Sequence, residues 1–86
     1  MAGAGKRIVM YTTTPCGWCR RAKQLLHHHE VPFEEIDING DDARREWLIE
    51  STGGRRTLPQ IFVDDRPIGG YQELAALLRS GALGGP

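Results

Sequence analysis

Apolar positions along the chain alternate between short continuous runs and stripes at helical spacing. Ile8-Val9-Met10-Tyr11 is apolar at consecutive positions. That predicts a first strand over Arg7 to Thr12, buried on both faces like a central parallel strand. From Gly17 to about Glu30 the spacing becomes helical, with Trp18, Ala22, Leu25, Leu26 and His29 on the inward side. Pro32 ends this helix by biasing Val31 towards extended backbone. Phe33 to Ile38 reads as a second strand, and Asn39-Gly40 turns the chain. Asp41 or Asp42 caps a second helix, which carries Ala43, Trp47, Leu48 and Ser51 inward and stops at Gly53-Gly54. Trp47 is read as core.

Gln60 to Val63 forms a third strand. Asp64-Asp65 makes a tight turn, with weaker hairpin chemistry than Asp-Gly, into a fourth strand around Arg66 to Ile68. Gly69-Gly70 permits a backbone turn or the close approach of another group. A last helix spans about Tyr71 to Ser80, with Leu74, Leu77 and Leu78 inward and Gly81 as its stop. The order β-α-β-α-β-β-α predicts an α/β protein with a four-stranded mixed sheet flanked by helices. Its first crossover should be right-handed and parallel, and its last two strands an antiparallel hairpin. No internal repeat is evident.

Length and charge narrow the function classes. Eighty-six residues predict one domain over 1–86, with 1–5 and 84–86 as frayed tails. Eleven basic and eleven acidic residues give zero formal charge, so there is no broad electrostatic case for nucleic acid or membrane binding. The N-terminus has no apolar signal-like region, and no run approaches a membrane span. These features fit a cytoplasmic protein, where two cysteines favour a transient catalytic disulfide over a structural one.

Both cysteines lie in Thr14-Pro15-Cys16-Gly17-Trp18-Cys19, where the first strand gives way to the first helix. A Cys-x-x-Cys at such a junction is the expected context of a thioredoxin-like redox motif. Unpaired N–H groups and the helix dipole favour negative charge at a helix start. They lower a thiol pKa from about 8.5 to between roughly 3.5 and 7.5. Cys16 is the candidate nucleophile, and Cys19, one turn on, is placed to close a disulfide with it. A structural zinc site needs four ligands, yet the chain has no other cysteine, and His27-His28-His29 lies at least two turns beyond Cys19. Haem attachment would need His at position 20, which is Arg. Two unrelated core cysteines are the remaining alternative.

With Cys-Gly-Trp-Cys after a first strand, Thr57-Leu58-Pro59 before a third and Ile68-Gly69-Gly70 before a last helix, the sequence resembles a glutaredoxin over roughly positions 7–83. It is most similar to the small bacterial dithiol class, whose Gly-Arg-Arg-Thr-x-Pro-Gln-Ile-Phe run recurs as Gly54 to Phe62. The resemblance implies a thioredoxin-like fold and a glutathione-dependent thiol–disulfide oxidoreductase. Glutathione is its co-substrate, and its partners are disulfide-containing or glutathionylated proteins.

By that resemblance, Thr57, Leu58 and Pro59 belong to the glutathione site. Pro59 is cis, and the backbone of Leu58 pairs with the ligand much as a strand would. On the residues alone, Pro59 reads as a trans proline opening an edge strand. Gly70 and the backbone N–H groups of Tyr71 and Gln72 receive the γ-glutamyl carboxylate at the helix start, and Trp18 forms a cleft wall. The family often has Lys where Thr13 stands. Arg56 is the expected substitute, ahead of Arg20 and Gln60. Glu73 stands near the expected ammonium position.

Gly17 replaces a common Pro, and this admits an alternative: a [2Fe–2S] carrier with Cys16 as ligand, dimeric only when the cluster is bound and otherwise monomeric. A redoxin linked to mycothiol or thioredoxin reductase is the other alternative.

Overall fold

A computed structural model describes residues 6–83, so the ends expected to fray lie outside the described residues. The elements run β1 (Ile8–Thr12), α1 (Gly17–His28), β2 (Glu34–Asp37), α2 (Asp42–Ser51), β3 (Gln60–Val63), β4 (Arg66–Gly69) and α3 (Tyr71–Ser80). The strands form one sheet in the order β2-β1-β3-β4. β1 pairs in parallel with β2 and antiparallel with β3, and β3–β4 is an antiparallel hairpin.

Every residue of β1 is buried, because helices cover both faces of the sheet. Alternation sends Ile8 and Met10 to one face, where they meet Ile61, Val63, Ala22 and Leu26 of α1, and Leu74 of α3. Val9 and Tyr11 go to the other face, with Phe62, Ile38 and Leu48 of α2. Leu26 and Leu74 are fully buried. Each such side chain contributes about 1.5–3 kcal/mol of burial free energy.

Helix ends differ from expectation where backbone capping acts before proline does. α1 stops at His28, short of Glu30. Glu30 adopts a left-handed φ of 58°, its N–H donates to His27 O, and Val31 N–H donates to Leu26 O. That is a Schellman ending built without glycine. The same pattern ends α2, where Gly53 (φ 73°) donates to Glu50 O and Gly54 to Ile49 O.

The Asp64-Asp65 turn has φ of 51° and 68°, both positive as a type I′ turn requires. Arg7 compensates for the absent glycine. Its N–H donates to Asp64 Oδ1 at 2.9 Å, its carbonyl accepts from Asp64 N–H at 2.8 Å, and its guanidinium lies 3.6 Å from Asp65.

Two tryptophans expected inward are the exposed large apolar side chains of the described residues, Trp18 at 52% and Trp47 at 42%. Trp47 stacks on Phe62 (centroids 5.8 Å apart, planes at 17°) and meets Tyr11, with Arg44 across its ring. It therefore caps the α2-side core from outside. Leu48 is the buried residue of α2, while Ala43 is exposed and Ser51 half-buried. Although Ala43, Trp47, Leu48 and Ile49 are all apolar, only Leu48 of α2 is buried, an inward line narrower than helical spacing alone implied.

Candidate active site

Cys16 is the N-cap of α1, with extended backbone (φ −157°, ψ 108°). Its Sγ accepts a hydrogen bond from Cys19 N–H at 3.1 Å. This is the N-cap arrangement in which a side-chain acceptor satisfies an otherwise unpaired helix N–H, and it favours charge on the acceptor. Cys16 and Cys19 form a disulfide with their Cα atoms 5.3 Å apart. Cys16 is half-buried, whereas Cys19 is 2% exposed on the inward side of α1. An incoming sulfur therefore has access to Cys16 and not to Cys19.

A cleft of about 230 Å³ is lined by Thr57, Leu58, Pro59, Gly70, Tyr71 and Trp18, together with Gln72, Glu73 and Arg55. Cys16 Sγ lies 3.8 Å from the carbonyl oxygen of Leu58, beside this cleft. Both the Leu58–Pro59 and Thr14–Pro15 peptide bonds are cis. Trp18 leans on Tyr71, with ring centroids 5.5 Å apart, and carries Arg21 over its ring at 5.1 Å. At the second helical position it stands over the cleft rim instead of the core.

Gly69 and Gly70 bring α3 against the Pro59 segment. Gly69 has φ 116°, and a Cβ there would lie 2.7 Å from the Glu73 side chain. A Cβ on Gly70 would lie 3.2 Å from the Pro59 carbonyl. Glu73 folds back to accept the Gly70 N–H at 2.8 Å, the half of a capping box available when glycine is the N-cap. Its Oε1 stands 4.0 Å from Arg55.

Of the residues singled out from sequence, Thr57, Leu58, Pro59, Gly70, Tyr71, Gln72 and Trp18 line one cleft beside Cys16. Arg56 does not line it, and Arg55 takes that place. Arg55 and Thr57, on either side of Arg56, both line the cleft. Glu73 also lines the cleft, and its signal was the three-residue spacing from Gly70. Gln60 is fully buried, and its Nε2 donates to Thr57 O at 2.9 Å. It braces the cleft wall from behind.

Hydrogen bonds from the Gly70 N–H first, then its own N–H, hold the Glu73 carboxyl below its ordinary value of 4.5, with Arg55 adding to the effect. A lowered acid contributes stability above its unfolded pKa and loses it as pH falls through the lowered folded value. The thermal-midpoint difference between wild type and Glu73→Gln should be constant above pH 4.5. It should close as pH falls further, and a difference that widened in acid would contradict the cap.

The family model for glutaredoxins matches residues 8–68. This chain belongs to the glutaredoxin family. It is 45% identical over 76 residues to glutaredoxin 3 of Escherichia coli, covering 88% of this chain and 90% of that protein. The solution structure of a glutaredoxin from Brucella melitensis superposes with a TM-score of 0.79 at 36% identity, covering 96% of this chain and 89% of that one. A buckwheat glutaredoxin–glutathione complex gives 0.79 at 29% identity, over 91% of this chain and 73% of that one. The mixed sheet with its flanking helices is thus the thioredoxin-like fold of glutaredoxins.

Family membership and the Cys16–Cys19 pair make the chain a thiol–disulfide oxidoreductase. No helix of the described residues is long and apolar enough to cross a membrane. Among the same residues no group of three or more His, Cys, Asp or Glu is placed to hold a metal ion.

Proposed function

We propose that this glutaredoxin uses glutathione, reducing glutathione mixed disulfides through Cys16 alone and protein disulfides through Cys16 and Cys19. The observation that carries this reading is the cleft beside Cys16, with Leu58 and Pro59 on one side and the start of α3 on the other. Backbone groups of Leu58 offer strand-like pairing to the peptide part of glutathione. The free N–H groups of Tyr71 and Gln72 suit a carboxylate at a helix N-terminus. The buckwheat relative's structure in complex with glutathione supports the same ligand here.

In this mechanism the Cys16 thiolate attacks the glutathionyl sulfur of a mixed disulfide. The target's sulfur leaves with the bonding electron pair and takes up a proton. A second glutathione thiolate then attacks the glutathionyl sulfur on Cys16, forming glutathione disulfide and freeing the Cys16 thiolate. With a protein disulfide, the Cys16 thiolate attacks one substrate sulfur and breaks the substrate's S–S bond, and the other substrate sulfur leaves as a thiolate that takes up a proton. Cys19, as thiolate, then attacks Cys16 Sγ and releases the substrate's remaining thiol. The protein contributes a stabilised thiolate and an oriented co-substrate. Such a transient disulfide suits a reducing compartment such as the cytoplasm.

The test uses Cys19→Ser protein, a glutathionylated peptide and glutathione as the only reductant. Continued deglutathionylation, within about tenfold of wild type, is expected if one cysteine suffices. No turnover by Cys19→Ser would refute the one-cysteine route, and a wild type inert to glutathione yet reducible by another thiol or a reductase would refute glutathione as co-substrate.

A further inference from the structure

Between the end of β1 and Cys16 the chain runs through Thr13, Thr14 and Pro15. Among the described residues, none of these three makes a hydrogen bond from backbone to backbone. The last such tie is Ile38 N–H to Thr12 O at 2.8 Å, and the next is Arg20 N–H to Cys16 O at 3.2 Å. Side chains secure the gap. Thr12 donates its hydroxyl to Glu35 Oε2 at 2.8 Å, Thr13 to Asn39 Oδ1 at 3.1 Å and Thr14 to Asp37 Oδ2 at 2.8 Å. All three acceptors belong to β2 or the turn after it.

The partners are themselves fixed. Asp37 Oδ1 accepts Asn39 N–H at 2.8 Å, an Asx-type turn that orients the carboxylate. Lys23 Nζ reaches Glu35 Oε2 at 3.0 Å, joining α1 to the same row. Asn39 N–H first and the Thr14 hydroxyl second hold the Asp37 carboxyl below its ordinary value of 3.8, so it is ionised near neutral pH. Thr14 lies two residues before Cys16, with only Pro15 between them, so its anchor is the last side-chain tie along the chain before Cys16.

We propose that Thr14 and Asp37 are positioning residues for Cys16, their hydrogen bond setting where the sulfur stands against the first N–H groups of α1. Neither touches the reacting atoms, and both are exposed, so their contribution to folding is small. The inference rests on Cys16 being the attacking thiol.

The experiment titrates the Cys16 thiol by alkylation rate against pH in reduced Cys19→Ser protein, with a urea midpoint for each variant. Thr14→Val should raise the Cys16 midpoint by about 0.2–0.7 unit, the size of a charge's interaction with a helix N-terminus. Thr14→Ser, which keeps the hydroxyl, should restore it. Asp37→Ala should also raise it, although losing a nearby negative charge would by itself lower it. An unmoved or lowered midpoint in either Thr14→Val or Asp37→Ala overturns the proposal, as does failure of Thr14→Ser to restore it. A fall in the urea midpoint alone would leave the pair a merely structural contact and overturns it equally. Mass mapping of reduced wild type after substoichiometric alkylation checks the premise separately. Reaction at Cys19 would remove the nucleophile assignment and the proposal with it.

Discussion

Replacing Cys16 by Ser is expected to lower thiol–disulfide exchange by about 10³-fold or more, with the unfolding midpoint of the reduced protein nearly unchanged. The two halves of this expectation have separate causes. Serine has no accessible anion near neutral pH, so the nucleophile is lost. Cys16, however, is half-buried and serves the fold as an N-cap whose sulfur accepts Cys19 N–H. Serine is among the preferred N-cap residues, and its oxygen takes over that hydrogen bond. Exchange assays with each single-cysteine variant, paired with urea denaturation under reducing conditions, check both halves. Turnover by Cys16→Ser within tenfold of wild type would place the nucleophile elsewhere.

Gly69→Ala should destabilise the protein by about 1–3 kcal/mol, a large share of a small domain's stability. Its φ of 116° lies where residues with a Cβ rarely go, and the new carbon would stand 2.7 Å from Glu73. Relief requires Glu73 to swing away, which leaves the Gly70 N–H without its cap and disturbs the start of α3. Gly40→Ala provides the control. At φ 80° with nothing within 4 Å, it reports the backbone cost alone. Urea midpoints for both variants check this, and a loss for Gly69→Ala no larger than that for Gly40→Ala would contradict a cost of displacing Glu73. Under the proposed use of glutathione, Gly69→Ala should also raise KM for a glutathionylated peptide more than it lowers kcat, because it alters the cleft and leaves Cys16 in place.

The Cys16–Cys19 pair and its place at the helix start were readable because they are local. Cys-x-x-Cys at the strand-to-helix junction places Cys16 at an N-cap by chain connectivity alone. The order of the elements followed from their apolar periods, and Tyr71–Ser80 was bounded by glycines acting at its own ends. The antiparallel β3–β4 hairpin followed from a two-residue connection that permits little else.

What the tertiary structure decided concerns groups distant in sequence. Trp18 and Trp47 have the right spacing to point inward, but Ala22 and Leu26 fill the core under α1 and Leu48 fills it under α2, so both rings lie outside. Arg55 and Arg56 are the same residue type at adjacent positions, and only the path of the segment into Leu58–Pro59 determines which one meets the cleft. Thr12, Thr13 and Thr14 look like an ordinary polar loop until β2 sets Glu35, Asp37 and Asn39 beside them. Sequence periodicity determines which residues an element can bury and which caps end it. Whether a given side chain is buried, lines a cleft or finds a hydrogen-bond partner depends on what another element, tens of residues away, has placed opposite it.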